Sequence, residues 1–112
     1  MMELIDQSAV KLLHALGYLY GQQGETKRGL VLLLLAARLA PDDVGILRTL
    51  AHAFMLDGAP ERAIAVIERL RSMREADHPM LDLMLGRALW ACGRQAEARR
   101  SFHDFLELRH QP

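Results

Sequence analysis

Five histidines, three serines and one cysteine are the side chains of this 112-residue chain from which metal, nucleophilic or redox chemistry would have to be built. A zinc site on a helix uses two histidines four residues apart. His14, His52, His78, His103 and His110 include no such pair and have no carboxylate placed among them as a general base. Ser8, Ser72 and Ser101 stand in no nucleophile elbow, and no glycine-rich phosphate loop occurs. Cys92, alone, can form neither an intramolecular disulfide nor a thiolate cluster. The histidines read as scattered surface residues and Cys92 as a small buried thiol at a helix end. No enzyme activity, no metal and no cofactor is expected.

Composition points the same way. Fourteen Lys and Arg balance fourteen Asp and Glu, a formal net charge of zero. No basic stripe is present of the kind that binds nucleic acid. The longest apolar run, Leu30 to Ala37, is far short of the roughly 20 residues that span a bilayer, so no membrane insertion is expected. The start, Met1-Met2-Glu3-Leu4-Ile5-Asp6, lacks a basic segment followed by an apolar run. It predicts no signal peptide, and the single cysteine fits a reducing compartment, the cytoplasm by default.

The elements that must position any function are set by a repeat. Leu13-x-x-Leu16-Gly17-x-x-Tyr20, then Gly24, then Gly29-x-x-x-Leu33-x-x-Ala36 and Pro41 resembles the tetratricopeptide pattern, with Leu13 where Trp is usual and Gly29 where Ala is usual. Gly17 allows close helix approach, Leu16 and Tyr20 are expected on one inward apolar face, and Gly24 ends the first helix before Thr26 caps the second. About 34 residues on, Leu47, Leu50, Ala51, Phe54, Gly58, Ala63 and Ile67 repeat these places. Leu85, Gly86, Leu89, Gly93, Ala98 and Phe102 repeat them again after one inserted residue. The expected fold is all-α: three tetratricopeptide-type hairpins, about six helices, stacked as a right-handed solenoid. It forms a single domain over 1–112, with repeats at roughly 10–41, 44–76 and 79–110.

Boundaries follow from breakers and caps. A short lead is expected to precede a helix at roughly 7–23, with Asp6 or Ser8 as cap, and a second helix at roughly 26–39. Pro41-Asp42-Asp43 separates it from the next, Pro60 opens a helix running to about Arg74, and Asp77 is expected to cap the fifth. The last helix is placed at roughly 95–109, with no further helix expected after it. Its outer flank should then be polar, shared with another chain, or costly to stability.

In such a stack the first helix of each hairpin lines a concave groove. Repeat geometry projects Lys11, His14 and Tyr18 into it from the first helix, and Arg48, Thr49, His52 and Met55 from the third. The fifth adds Met80, Leu83, Met84, Arg87 and Trp90. Leu85 and Leu89 already fill the inward places of the fifth helix, which favours the Met pair and Trp90 as an adaptable peptide pocket. The alternative is that they are core. In the run Gly29 to Arg38, the inward places need only Leu30, Leu33, Ala36 and Ala37. Val31, Leu32, Leu34 and Leu35 remain on an apolar outer face to be covered by a partner, or by Leu4 and Ile5 of the lead.

Leu12-Leu13, Gly24, the Leu30–Leu35 block with Pro41, Gly58-x-x-Glu61-Arg62-Ala63, and the ending Phe105-Leu106-Glu107-Leu108 resemble the small tetratricopeptide chaperones of bacterial type III secretion, specifically the Y type (SctY or YscY). The likeness covers nearly the whole chain. It implies a cytoplasmic, non-enzymatic chaperone that forms a heterodimer with a small early export substrate, the X-type protein, and helps deliver it to the export gate. Other readings are a chaperone for needle or translocator subunits, or a homo-oligomeric scaffold. A co-chaperone that clamps a C-terminal carboxylate needs Asn in the groove, and the chain has none.

Overall fold

The computed structural model describes residues 2–73 and 79–109. They form six helices and no strand: α1 (Met2–Gln22), α2 (Thr26–Leu39), α3 (Val44–Leu56), α4 (Pro60–Ser72), α5 (Pro79–Ala91) and α6 (Gln95–Arg109). Each packs on its neighbour in sequence, and α1 also reaches α3. The three hairpins form a stack of 47 × 30 × 19 Å.

One device closes every hairpin. Gly24, Gly58 and Gly93 take left-handed φ of 83°, 72° and 80°, where a β-carbon is disfavoured. Each sets up the same 6→1 backbone bond: Glu25 N–H to Tyr20 O at 2.8 Å, Ala59 N–H to Phe54 O at 2.9 Å and Arg94 N–H to Leu89 O at 2.9 Å. Between hairpins, Asp43 caps α3 by accepting from the Ile46 N–H at 3.1 Å, and Pro60 opens α4 where its missing donor costs nothing. Arg69 reaches back to the Pro41 carbonyl at 3.0 Å and Asp42 Oδ1 at 2.8 Å, tying α4 to the α2–α3 turn.

Four sequence expectations are corrected. The lead is helical, because no glycine or proline interrupts residues 2–8. Asp6 and Ser8 therefore lie inside α1 and cap nothing. Thr26 does not cap α2: the backbone-bonded turn leaves it already helical, with Glu25 in the cap position and no side-chain bond. Leu4 is 68% exposed and Val31, Leu34 and Leu35 stay exposed, so Leu4 gives the leucine run little cover, while the side chain of Ile5 lies outside what is described. Leu16 is 37% exposed and Tyr20 only half-buried, whereas Leu50, Phe54, Leu85 and Leu89 at the same repeat positions are buried. The hairpin that precedes α3 or α5 covers those places, and α1 packs against none. Arg74, Asp77 and His78 lie outside the described residues.

Candidate protein-binding groove

The core leaves α1, α3 and α5 with one open side, and three depressions adjoin along it. One of about 420 Å³ is lined by Met55, Arg87, Trp90 and Phe102. The next shares Met55 and Arg87 and adds His52, Leu56 and Met84. A third shares His52 and Leu56 and reaches Tyr18, Gln22 and Thr49. Together they make a groove from α1 to α6. Its described lining includes Arg87 and His52 and no carboxylate.

Trp90 and Tyr18 are about half exposed, at 49% and 50%, so each offers a ring face without forming the core. Met55 and Met84 do both jobs: half-buried, they pack on the central cluster around Leu50, Ile67 and Leu85 and still line the groove. A flexible thioether can repack against an incoming side chain at low cost.

Of the sequence-projected set, Tyr18, Thr49, His52, Met55, Met84, Arg87 and Trp90 come together along these depressions. His14 is engaged in the stack: its Nε2 lies 2.8 Å from Thr49 Oγ1, which itself donates to the Gly45 carbonyl at 3.0 Å, so it joins α1 to α3. Lys11 is exposed, Arg48 and Leu83 are half-buried, and Met80 is 47% exposed. None of these four lines the three depressions. Phe102 lies outside the projected set, since α6 is a second helix. Its ring reaches over Gly86, where a β-carbon would meet Phe102 Cε1 at 2.5 Å, and so arrives beside Trp90.

The outer face of α2 is as apolar as the sequence suggests. Leu30, Leu33 and Ala36 are buried, whereas Val31, Leu34 and Leu35 are 59%, 42% and 46% exposed and Leu32 is half-buried.

A buried acid paired with a partly solvated arginine goes beyond the sequence reading. Asp82, 5% exposed, places Oδ1 3.5 Å from Arg71 Nη1. Burial pushes its carboxyl above the usual carboxylate value; Arg71 opposes this and Asp104 adds to it. The signal lay in the repeat, where Asp82 takes the place of Leu13 and Leu47. The pair joins α4 to α5 and lines none of the three depressions. Cys92, expected to be a buried thiol, is only half-buried because it lies just past α5 in the turn, and His103 meets Glu107 at 3.5 Å on an exposed helix face. Among the described residues no three His, Cys, Asp or Glu side chains group as a metal site, and no helix is long and apolar enough to cross a membrane.

No protein-family model and no curated protein matches this chain. Among solved structures it is similar to a point mutant of MamA, with a TM-score of 0.81 and 23% identity over 95% of this chain and 81% of that one. That likeness carries the fold: an all-α tetratricopeptide-type stack.

Proposed function

We propose that this protein is a binding chaperone of the type III secretion apparatus. It holds a small early export substrate of the X type as a one-to-one heterodimer in the bacterial cytoplasm and presents it to the export gate. The observation that carries the reading is the groove, an open channel with an aromatic and methionine floor, the Trp90–Phe102 pocket at one end and the cationic Arg87 beside it. It suits a helical or extended segment with large apolar side chains and neighbouring carboxylates, anchored at Trp90 and Met84 and steered by Arg87. The exposed face of Val31, Leu34 and Leu35 gives the same partner a second apolar surface to cover. The sequence resemblance supplies the identity of the partner.

The test is light scattering on the chain alone and co-expressed with the small X-type protein of a type III secretion operon. A stable one-to-one complex supports the reading. A chain whose mass is unchanged and which elutes without the partner rejects it and leaves a repeat scaffold.

A further inference from the structure

Three helices hold the same place in successive hairpins and carry the same stripe, spaced i, i+4, i+7. In α3 it is Ile46, Leu50 and Ala53; in α5 it is Leu81, Leu85 and Ala88. All six are buried, none above 6% exposed. Each stripe is pressed onto the second helix of the preceding hairpin. Ile46 shares a cluster with Ala36, Leu81 shares one with Leu70, and the other four share the central cluster with Leu33 and Ile67.

The repeat register puts Leu12, Leu16 and Leu19 at these positions in α1, where they are 59%, 37% and 52% exposed. The other end of the stack has the complementary deficit. The seats Leu33, Ile67, Ala36 and Leu70 are no more than 1% exposed beneath the hairpin that follows them. Their equivalents in α6, Phe102 and Phe105, are only half-buried, and Leu106 beside them is 49% exposed. One end thus carries the stripe without its seat, and the other end the seat without its stripe.

We propose that this chain associates head to tail with a second copy of itself. Leu12, Leu16 and Leu19 of one copy pack on Phe102, Phe105 and Leu106 of the next and rebuild the α2/α3 and α4/α5 joints across a chain boundary. The occupant is a second copy because stripe and seat both lie on this chain and the same joint is made twice within it. A head-to-head pairing would set stripe on stripe and leave the seat of each copy uncovered. The register also brings Leu13 opposite Leu106, where the α4/α5 joint holds Asp82 against Arg71, so the new joint buries no charge at that point. Such a contact is heterologous and leaves a free stripe at one end and a free seat at the other, so each joint can take up a further copy and the assembly grows with concentration. The inference stands apart from the chaperone reading, though Phe102 belongs both to this seat and to the Trp90 pocket.

Sedimentation velocity of the full chain, from low-micromolar to several hundred micromolar, tests it, with Leu12→Glu blocking the head and Leu106→Glu blocking the tail. Both positions are about half exposed, and circular dichroism checks that each variant keeps its helices; a variant that does not is replaced by the serine substitution at the same position. The wild-type mass should climb continuously, each variant should stay monomeric, and an equimolar mixture should stop at twice the monomer mass. A wild-type mass independent of concentration, a Leu106→Glu variant that associates like wild type, or a mixture without the paired species would each overturn it.

Discussion

A β-carbon built on Gly29 would stand 2.7 Å from the Gly17 carbonyl oxygen, and one built on Gly17 would stand 2.7 Å from Leu33 Cγ and 3.1 Å from the Gly29 carbonyl oxygen. Each glycine is there because of the other. The second and third hairpins carry Ala63 and Ala98 at the place of Gly29, both fully buried, so alanine suits the repeat in general and this crossing is closer. Gly29→Ala gains up to about 1 kcal/mol of helix propensity but pushes a methyl into backbone that cannot step aside. A net loss of about 1–2 kcal/mol is expected in urea unfolding. Gly21, in the same helix pair with nothing within 4 Å of its would-be β-carbon, is the control. Gly21→Ala should stabilise by about 0.5–1 kcal/mol. Equal effects of the two substitutions would mean the crossing is not tight.

Most of the stack was legible because its punctuation is local. Gly24, Gly58, Gly93 and Pro60 act through their own backbone and Asp43 through a carboxylate that accepts from an N–H three residues on, so the sequence places them without knowledge of distant neighbours. What misled was context. Leu16 looks like Leu50 and Leu85 in the repeat, but its burial depends on a hairpin preceding it. The groove divided in the same way. Met55, Met84, Arg87 and Trp90 follow from helical register, whereas Phe102 enters only because Gly86 lets a ring from the paired helix lie across it. His14 has the register of a groove residue, yet its bond to Thr49 depends on the spacing between two hairpins that no single motif encodes.

Asp82 gives a pH dependence of determined sign. Burial holds its carboxyl above the ordinary carboxylate value despite Arg71, so the native chain keeps a proton at a pH where the unfolded chain has lost it. Stability from this group is present at low pH and falls as pH rises through the window just above the usual aspartate value. Asp82→Asn should remove that slope. Asp82→Leu, restoring the residue type of Leu13 and Leu47, should raise stability at neutral pH by about 1 kcal/mol, since the remaining Arg71 is partly solvated. Urea midpoints measured across the acid range decide this. A wild-type slope of opposite sign, or one that survives in both variants, assigns the effect to other groups.

The apolar face of α2 separates folding from association. Val31 and Leu35 are about half exposed or more and belong to none of the buried clusters. Val31→Glu with Leu35→Glu should change unfolding free energy by no more than about 0.5 kcal/mol per site. Binding of an apolar dye should fall several-fold. If the proposed export substrate covers this face, the double variant also loses that partner during co-purification. Unchanged recovery would confine the substrate to the groove.

Trp90 and Arg87 test the groove directly. Both are exposed, so their substitution should leave the unfolding transition in place while acting on whatever the groove holds. Trp90→Ala removes the ring that forms one wall of the Met55–Phe102 pocket and should weaken binding of the proposed substrate by about 2 kcal/mol, roughly thirtyfold. Arg87→Glu reverses the charge of a groove whose described lining carries no acid. Against an acidic segment it should slow association and steepen the loss of affinity at low salt, where charges are least screened. Trp90→Ala acts mainly on dissociation, because an apolar contact does not steer encounter. Calorimetry and stopped-flow mixing with the purified substrate separate the two. If Arg87→Glu binds as wild type at low and high salt, charge plays no part in recognition and the segment is held by its apolar side chains alone.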